Sequence, residues 1–214
     1  MKTIAFFNVK GGCGKTTSCI NISYILATKY EKKVLLIDLD PQANSSDFFI
    51  DMDYDVSIED IFVGRKQIKE CIQHTKYERL DIIPSTITLS RTEKAMIANT
   101  TEPQQLKLAG YLSEIESEYD YCILDCSPSA ETITNINGLA AANAVFVPLK
   151  ADKWTIKGLQ YTLSIIQTVK KYNYKLNFGG AFFVQKENRR VNKGSEELVE
   201  EMIGKQYLLP GISK

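Results

Sequence analysis

Lys10-Gly11-Gly12-Cys13-Gly14-Lys15-Thr16-Thr17 decides how the rest of the chain is read. An apolar run at residues 3–9 precedes it and a helix-like segment opens near Lys15, which is the strand, glycine loop, helix order of a phosphate-binding loop. The glycines let the backbone curl so that successive N–H groups point at one anion. The helix that starts there turns its unpaired N–H groups and positive dipole end toward the same point. In such a loop Lys15 reaches the β- and γ-phosphates and the Thr16 hydroxyl binds Mg²⁺. The common pattern needs glycine where this chain has Val9; here Lys10 stands ahead of the first glycine.

Working outward, residues 3–9 are apolar on both faces, as a buried parallel strand should be. Residues 15–29 read as a helix with Cys19, Ile22, Ile25 and Leu26 at helical spacing. Residues 33–40, KVLLIDLD, read as a second buried strand ended by Pro41. That unit implies a right-handed crossover with the loop at the carboxyl edge of the sheet. Asp38 and Asp40 then stand beside the loop. One can hold a Mg²⁺-bound water and the other can orient the attacking water; read alone, they are a pair of turn-forming aspartates before a proline.

Further on, residues 43–79 carry little pattern: a loop, a short helix near 58–62 and a helix near 66–74. His74, the only histidine, reads as a solvent-exposed helix-end residue. Residues 80–84 form a short strand, and 89–98 and 102–117 amphipathic helices. Residues 119–125, YDYCILD, are an apolar strand ending in Asp125, the Walker B form, which holds Mg²⁺ through a bound water. A helix and strand follow over 135–148, a long helix over 155–172, a strand over 178–185, a helix over 195–204 capped by Ser195, and a last short strand at 207–209. Lys186, Arg189, Arg190 and Lys193 fall within eight residues, a solvated loop or a phosphate-backbone contact.

Composition sets the bounds. The 214 residues carry 26 basic and 26 acidic side chains, which argues against massive sequence-independent nucleic-acid binding but not against a local basic patch. No apolar run approaches the roughly 18 residues of a membrane span. The N-terminus enters a strand almost at once, without a signal peptide. The five cysteines are odd in number and form no C-x-x-C, as expected of reduced thiols in a cytosolic protein. No repeat, low-complexity tract or linker divides the chain, so one domain is expected over 1–214.

The loop K-G-G-x-G-K-T-T closely resembles the deviant phosphate loop of the ParA/MinD group of ATPases, and Asp38-Leu39-Asp40-Pro41-Gln42 matches that group's second motif. Cys126-Ser127-Pro128-Ser129 resembles its D-x-P-P-S segment, with Ser127 replacing the first proline. The resemblance is to ParA/Soj-type partition ATPases and runs along the whole chain, with specific motifs in the first 45 or so residues and around Asp125. It implies a P-loop NTPase three-layer α/β sandwich, a mostly parallel twisted sheet with helices on both faces. It also implies ATP and Mg²⁺ as ligands, with the phosphates held by Lys10, Gly11, Gly12, Cys13, Gly14, Lys15, Thr16 and Thr17. Thr16, Asp38 and Asp125 serve the metal, and Lys10, Lys15 and Asp40 serve hydrolysis, Asp40 by positioning water. ParA-type proteins bind DNA without sequence preference near Arg190, with Arg189 the one-residue-off alternative. Such proteins normally continue past residues 209–214 with part of the adenine pocket and a final helix.

The expected activity is therefore a slow, partner-stimulated Mg²⁺-dependent ATPase that works as a dimerisation switch in plasmid or chromosome partitioning. Its expected partners are a second copy, DNA and a ParB-like protein. It is expected in the cytoplasm, at the nucleoid where DNA is bound, and not on membrane. Two other readings compete. One is a related ATPase that positions or regulates a protein assembly without binding DNA, which zero net charge favours. The other is a metabolic P-loop enzyme phosphorylating a small molecule, against which Lys10 and the DLDPQ segment speak.

Overall fold

A computed structural model describes residues 1–51, 54–185 and 190–213, without the side chains of 190–193. Seven strands form one sheet: β1 (Lys2–Phe6), β2 (Val34–Leu39), β3 (Gln73–His74), β4 (Leu80–Ile83), β5 (Tyr121–Cys126), β6 (Ala144–Leu149) and β7 (Asn177–Phe183). Their spatial order is β3-β4-β2-β5-β1-β6-β7, and every pairing is parallel except β3 with β4. The helices are α1 (Lys15–Thr28), α2 (Asn44–Phe49), α3 (Ile58–Phe62), α4 (Leu89–Ala98), α5 (Lys107–Glu114), α6 (Ile133–Ala141), α7 (Thr155–Val169) and α8 (Arg190–Ile203).

Alternation along the strands builds the layers. In β2, Val34 and Leu36 face one core with Cys19 and Ala27 of α1 and Phe49 of α2. Leu35, Ile37 and Leu39 face the other, with apolar side chains of α3 to α8. Both faces of the strand are therefore covered, which is why it reads as an unbroken apolar run. The expected three-layer P-loop NTPase sandwich is the observed one.

Several local expectations change. The helix expected over 66–74 is a 3₁₀ turn, Ile68–Cys71, followed by β3. Gln73 and His74 instead pair with Ile82 and Asp81, so tertiary hydrogen bonds override the helical pattern. Residues 102–117 are helical only as α5, from Lys107 to Glu114: the Gln104 side chain folds back on the Glu102 carbonyl, and the Leu108 N–H is taken by Asn137 Oδ1 at 3.1 Å. α8 opens at Arg190, so Ser195 lies inside it and not at its cap; Gly204 does end it, at φ 86°. The last short strand reduces to a 3₁₀ turn and one bridge, Leu208 to Ala181, and the tail then donates Leu209 N–H to Ala181 O and Ile212 N–H to Phe183 O. α2 has no counterpart in the sequence reading.

All five cysteines are buried free thiols. Among the described residues, no helix is long and apolar enough to cross a membrane.

Candidate active site

The site forms where β1, β5 and β2 end side by side. Phe6 pairs with Asp125, and Asp125 with Asp38, so the glycine loop leaves the sheet directly beside both aspartates. Asn8 anchors the loop's start, donating from Nδ2 to Pro148 O at 2.8 Å and accepting the Lys10 N–H at 2.9 Å. Gly12 and Gly14 stand at φ 68° and 82°, a region costly to other residues. A Cβ on Gly14 would press both Val184 methyls at 3.2 Å. Asn135 holds the facing segment by bonds to Ser127 and Ser129.

Most of the loop's N–H donors are left without partners. Among the described residues the N–H groups of Gly11, Gly12, Gly14, Thr16 and Thr17 have no acceptor, those of Cys13 and Lys15 lie against the Cys13 thiol, and Gly14 precedes α1 with no side-chain cap. Lys15 is buried, and its Nζ donates to the carbonyls of Asn8 at 3.0 Å and Lys10 at 3.1 Å. Its ammonium thus bridges the two limbs of the loop.

The two strand-end aspartates differ. Asp38 is saturated: Oδ1 accepts Asp40 N–H at 3.0 Å, and Oδ2 accepts Ser46 N–H at 3.0 Å and Oγ–H at 2.8 Å. Asp125 accepts Ser45 Oγ–H on Oδ2 at 2.5 Å, while its buried Oδ1 has no hydrogen-bond partner among the described residues. Burial first, and then the charge of Asp125, pushes the Asp38 carboxyl far above the usual carboxylate range. Burial likewise raises Asp125, to about 6, opposed by the hydroxyls of Ser45 and Thr16; Thr16 lies close without closing a hydrogen bond of ordinary geometry. Asp40 is buried, its Oδ1 accepting Gln42 N–H at 3.0 Å.

An orphaned carboxylate oxygen beside a hydroxyl fits Mg²⁺, which commonly takes one or two protein ligands and completes its shell with phosphate and water. The described residues offer no His/Cys/Asp/Glu cluster that would cage a metal by itself. The site therefore suits a metal that arrives with phosphates.

Lys10 sits at the rim and pairs with Asp152 of the same chain. Asp152 also accepts Trp154 N–H at 2.8 Å, tying that pair to the start of α7. Against burial, the Lys10 ammonium holds the Asp152 carboxyl below its ordinary value. Asn8, Ser45, Ser46, Asn135 and Asp152 escaped the sequence reading. The two serines directly follow the DLDPQAN segment, and adjacent small hydroxyl residues there were the available signal. Lys186 and Arg189 lie outside the described residues, as do the side chains of Arg190 and Lys193.

Loop, sheet order and strand-end aspartates together define a phosphate-loop nucleotide-binding protein. A family model described as an AAA domain matches residues 1–178. The chain is 36% identical over 202 residues to the chromosome-partitioning ATPase Soj of Treponema pallidum, covering 94% of this chain and 77% of that one. A plasmid partition protein from Borrelia burgdorferi superposes with TM-score 0.84 at 29% identity, covering 99% of this chain and 89% of that one. Cobyrinic acid a,c-diamide synthase from Mycobacterium smegmatis, solved with bound ATP analog and magnesium, superposes with TM-score 0.84 at 25% identity, covering 96% and 82%. The chain belongs to the AAA domain family and, within it, to the ParA/Soj-type partition ATPases.

Proposed function

We propose that this ATPase is an ATP-dependent dimerisation switch of the partition type. The observation that carries the reading is a glycine loop with mostly unpartnered N–H groups that leaves the sheet beside Asp125, whose Oδ1 is buried without a partner among the described residues. The loop amides 11–17 bind phosphate oxygens, and the Lys15 ammonium moves from the Asn8 and Lys10 carbonyls to the terminal phosphates. Mg²⁺ would be held by Thr16 and Asp125, with Asp38 supporting the shell from behind, and would spread the charge that develops on the transferring phosphoryl group. Asp40 orients the attacking water.

Lys10 gives the switch its logic. Paired to Asp152, it is held within its own chain. Released, it reaches across to a second copy's phosphates, where a cation stabilises developing charge as an arginine finger does. Hydrolysis then depends on the dimer, and the dimer on ATP. The exposed Trp154 and Tyr161, beside Lys10, supply apolar surface for the closing face. Lys186, Arg189, Arg190 and Lys193 would carry non-specific DNA contact, and a ParB-like partner on its cargo would trigger turnover.

Oligomeric state with ADP, then with ATP and Mg²⁺, tests this reading. Dimers are expected only with ATP, Lys10→Ala should prevent them, and Asp152→Asn should favour them a few-fold. ATP dimers retained in Lys10→Ala would overturn the crossing role.

The equal counts of 26 basic and 26 acidic side chains favour a second reading, an ATPase that positions a protein assembly without touching DNA. A DNA shift with and without ATP at two salt concentrations separates the two.

A further inference from the structure

Residues 40–46 link the two buried carboxylates in an uneven way. Ser45 and Ser46 are consecutive and fully buried, yet their hydroxyls serve different strands. Ser46 gives both its N–H and its hydroxyl to Asp38 Oδ2, and its Oγ accepts Ser85 N–H at 3.0 Å. Ser45 gives its hydroxyl to Asp125 Oδ2. With Asp40 N–H on Asp38 Oδ1, three of the four carboxylate oxygens are filled by this one stretch. The fourth, Asp125 Oδ1, is left buried without a hydrogen-bond partner among the described residues.

A pairing that only satisfied buried acceptors would fill both oxygens, as at Asp38. The terminal torsion of an aspartate is broad and two-fold, so an unrestrained carboxylate can offer either oxygen or neither squarely. The Ser45 bond removes that freedom. We infer that Ser45 is a positioning residue for the divalent cation: its hydroxyl locks the Asp125 carboxylate so that Oδ1 faces the phosphate loop. The same bond carries the cation's arrival into α2, whose start is tied to both aspartates. Ser45 touches neither nucleotide nor metal; it acts through Asp125, as outer-shell partners orient metal ligands elsewhere. The inference rests on the nucleotide and Mg²⁺ reading above.

The test is retention of a fluorescent ADP analogue, titrated with MgCl₂ and repeated in EDTA, for wild type, Ser45→Ala and Ser45→Thr. Ser45→Ala should raise the Mg²⁺ midpoint roughly tenfold or more, with retention in EDTA held near wild type; Ser45→Thr, which keeps a hydroxyl, should restore most of the dependence. Amide exchange over residues 44–49 should slow when Mg²⁺ is added with ADP in wild type, and not in Ser45→Ala. A wild-type Mg²⁺ midpoint in Ser45→Ala would overturn this inference alone. Equal weakening in the EDTA arm, the mark of a loosened fold, would overturn it too. A wild-type chain that retains ADP without regard to Mg²⁺ would overturn the nucleotide reading and this inference with it.

Discussion

Asp81 and Asp125 occupy opposite ends of the same sheet, and the contrast between them separates a structural joint from a site. Asp81 lies at the amino end of β4. Its Oδ1 pairs with His74 Nδ1 at 2.7 Å and its Oδ2 accepts the Tyr119 hydroxyl at 2.7 Å. Burial, reinforced by Asp81, holds the Tyr119 phenol above its usual range, so the hydroxyl stays a donor. A cavity of about 690 Å³ opens beside this cluster, lined also by Lys33 and Arg79. At Asp125, by contrast, one oxygen is buried without a partner among the described residues, beside a loop whose N–H groups are mostly unused. Buried polar groups in folded proteins are nearly always paired. Unfilled hydrogen-bonding capacity is what singles out the Asp125 end as the candidate site.

Three changes would break or sharpen this contrast. The largest effect is expected from Lys15→Ala. It would remove the charge-assisted contacts proposed to the terminal phosphates, worth about 3 kcal/mol or more together, so nucleotide affinity read by fluorescence or calorimetry should fall on the order of 100-fold or beyond. Unchanged ATP affinity would show that the cradle is not the site.

Asp125→Asn comes next, and it reads in two directions. The Mg²⁺-dependent part of nucleotide binding should disappear. Without Mg²⁺ the variant should be the more stable protein at pH 8, by roughly 1–3 kcal/mol. The sign follows from the raised carboxyl: a group pushed from 3.8 to about 6 favours folding below its unfolded value, and loses that contribution as pH rises through 6. The advantage of the variant should therefore close as pH falls from 8 toward 4, in paired denaturant melts. A pH-independent difference would point to altered packing instead.

The smallest effect belongs to Asp81→Ala. It orphans the half-buried Tyr119 hydroxyl and should cost about 1–2 kcal/mol in a urea melt, with nucleotide binding and its Mg²⁺ dependence untouched. A loss of ATP binding in that variant would abolish the distinction drawn between the two ends.

The sequence exposed the Asp125 end much better than its supports. The glycine loop, Asp38, Asp40 and Asp125 are legible because strand, turn and helix propensities place them locally, each at a strand's carboxyl end. Their supporting groups come from far along the chain: Ser45 meets Asp125 across 80 positions and Lys10 meets Asp152 across 142. No periodicity carries such a pairing. α2 was also hidden, because NSSDFF is short and polar at its start and is entered through Ala43 at φ 53°, a conformation usually left to glycine. His74 misled for the opposite reason. Its segment has a helical pattern, yet pairing with β4 and Asp81 holds it extended.

The tail beyond α8 has a consequence for how copies of this protein can meet. Its amides from Leu209 and Ile212 occupy carbonyls along the outer side of β7, while the opposite margin of the sheet is closed by a strand of two residues. A long bare margin invites another chain to add itself by backbone ladder, in register or out of it. Here one margin is hemmed and the other is too short to serve as a template. The proposed self-association would thereby be steered away from strand addition, which any extended peptide can imitate, and toward contacts that only a correctly folded second copy can offer.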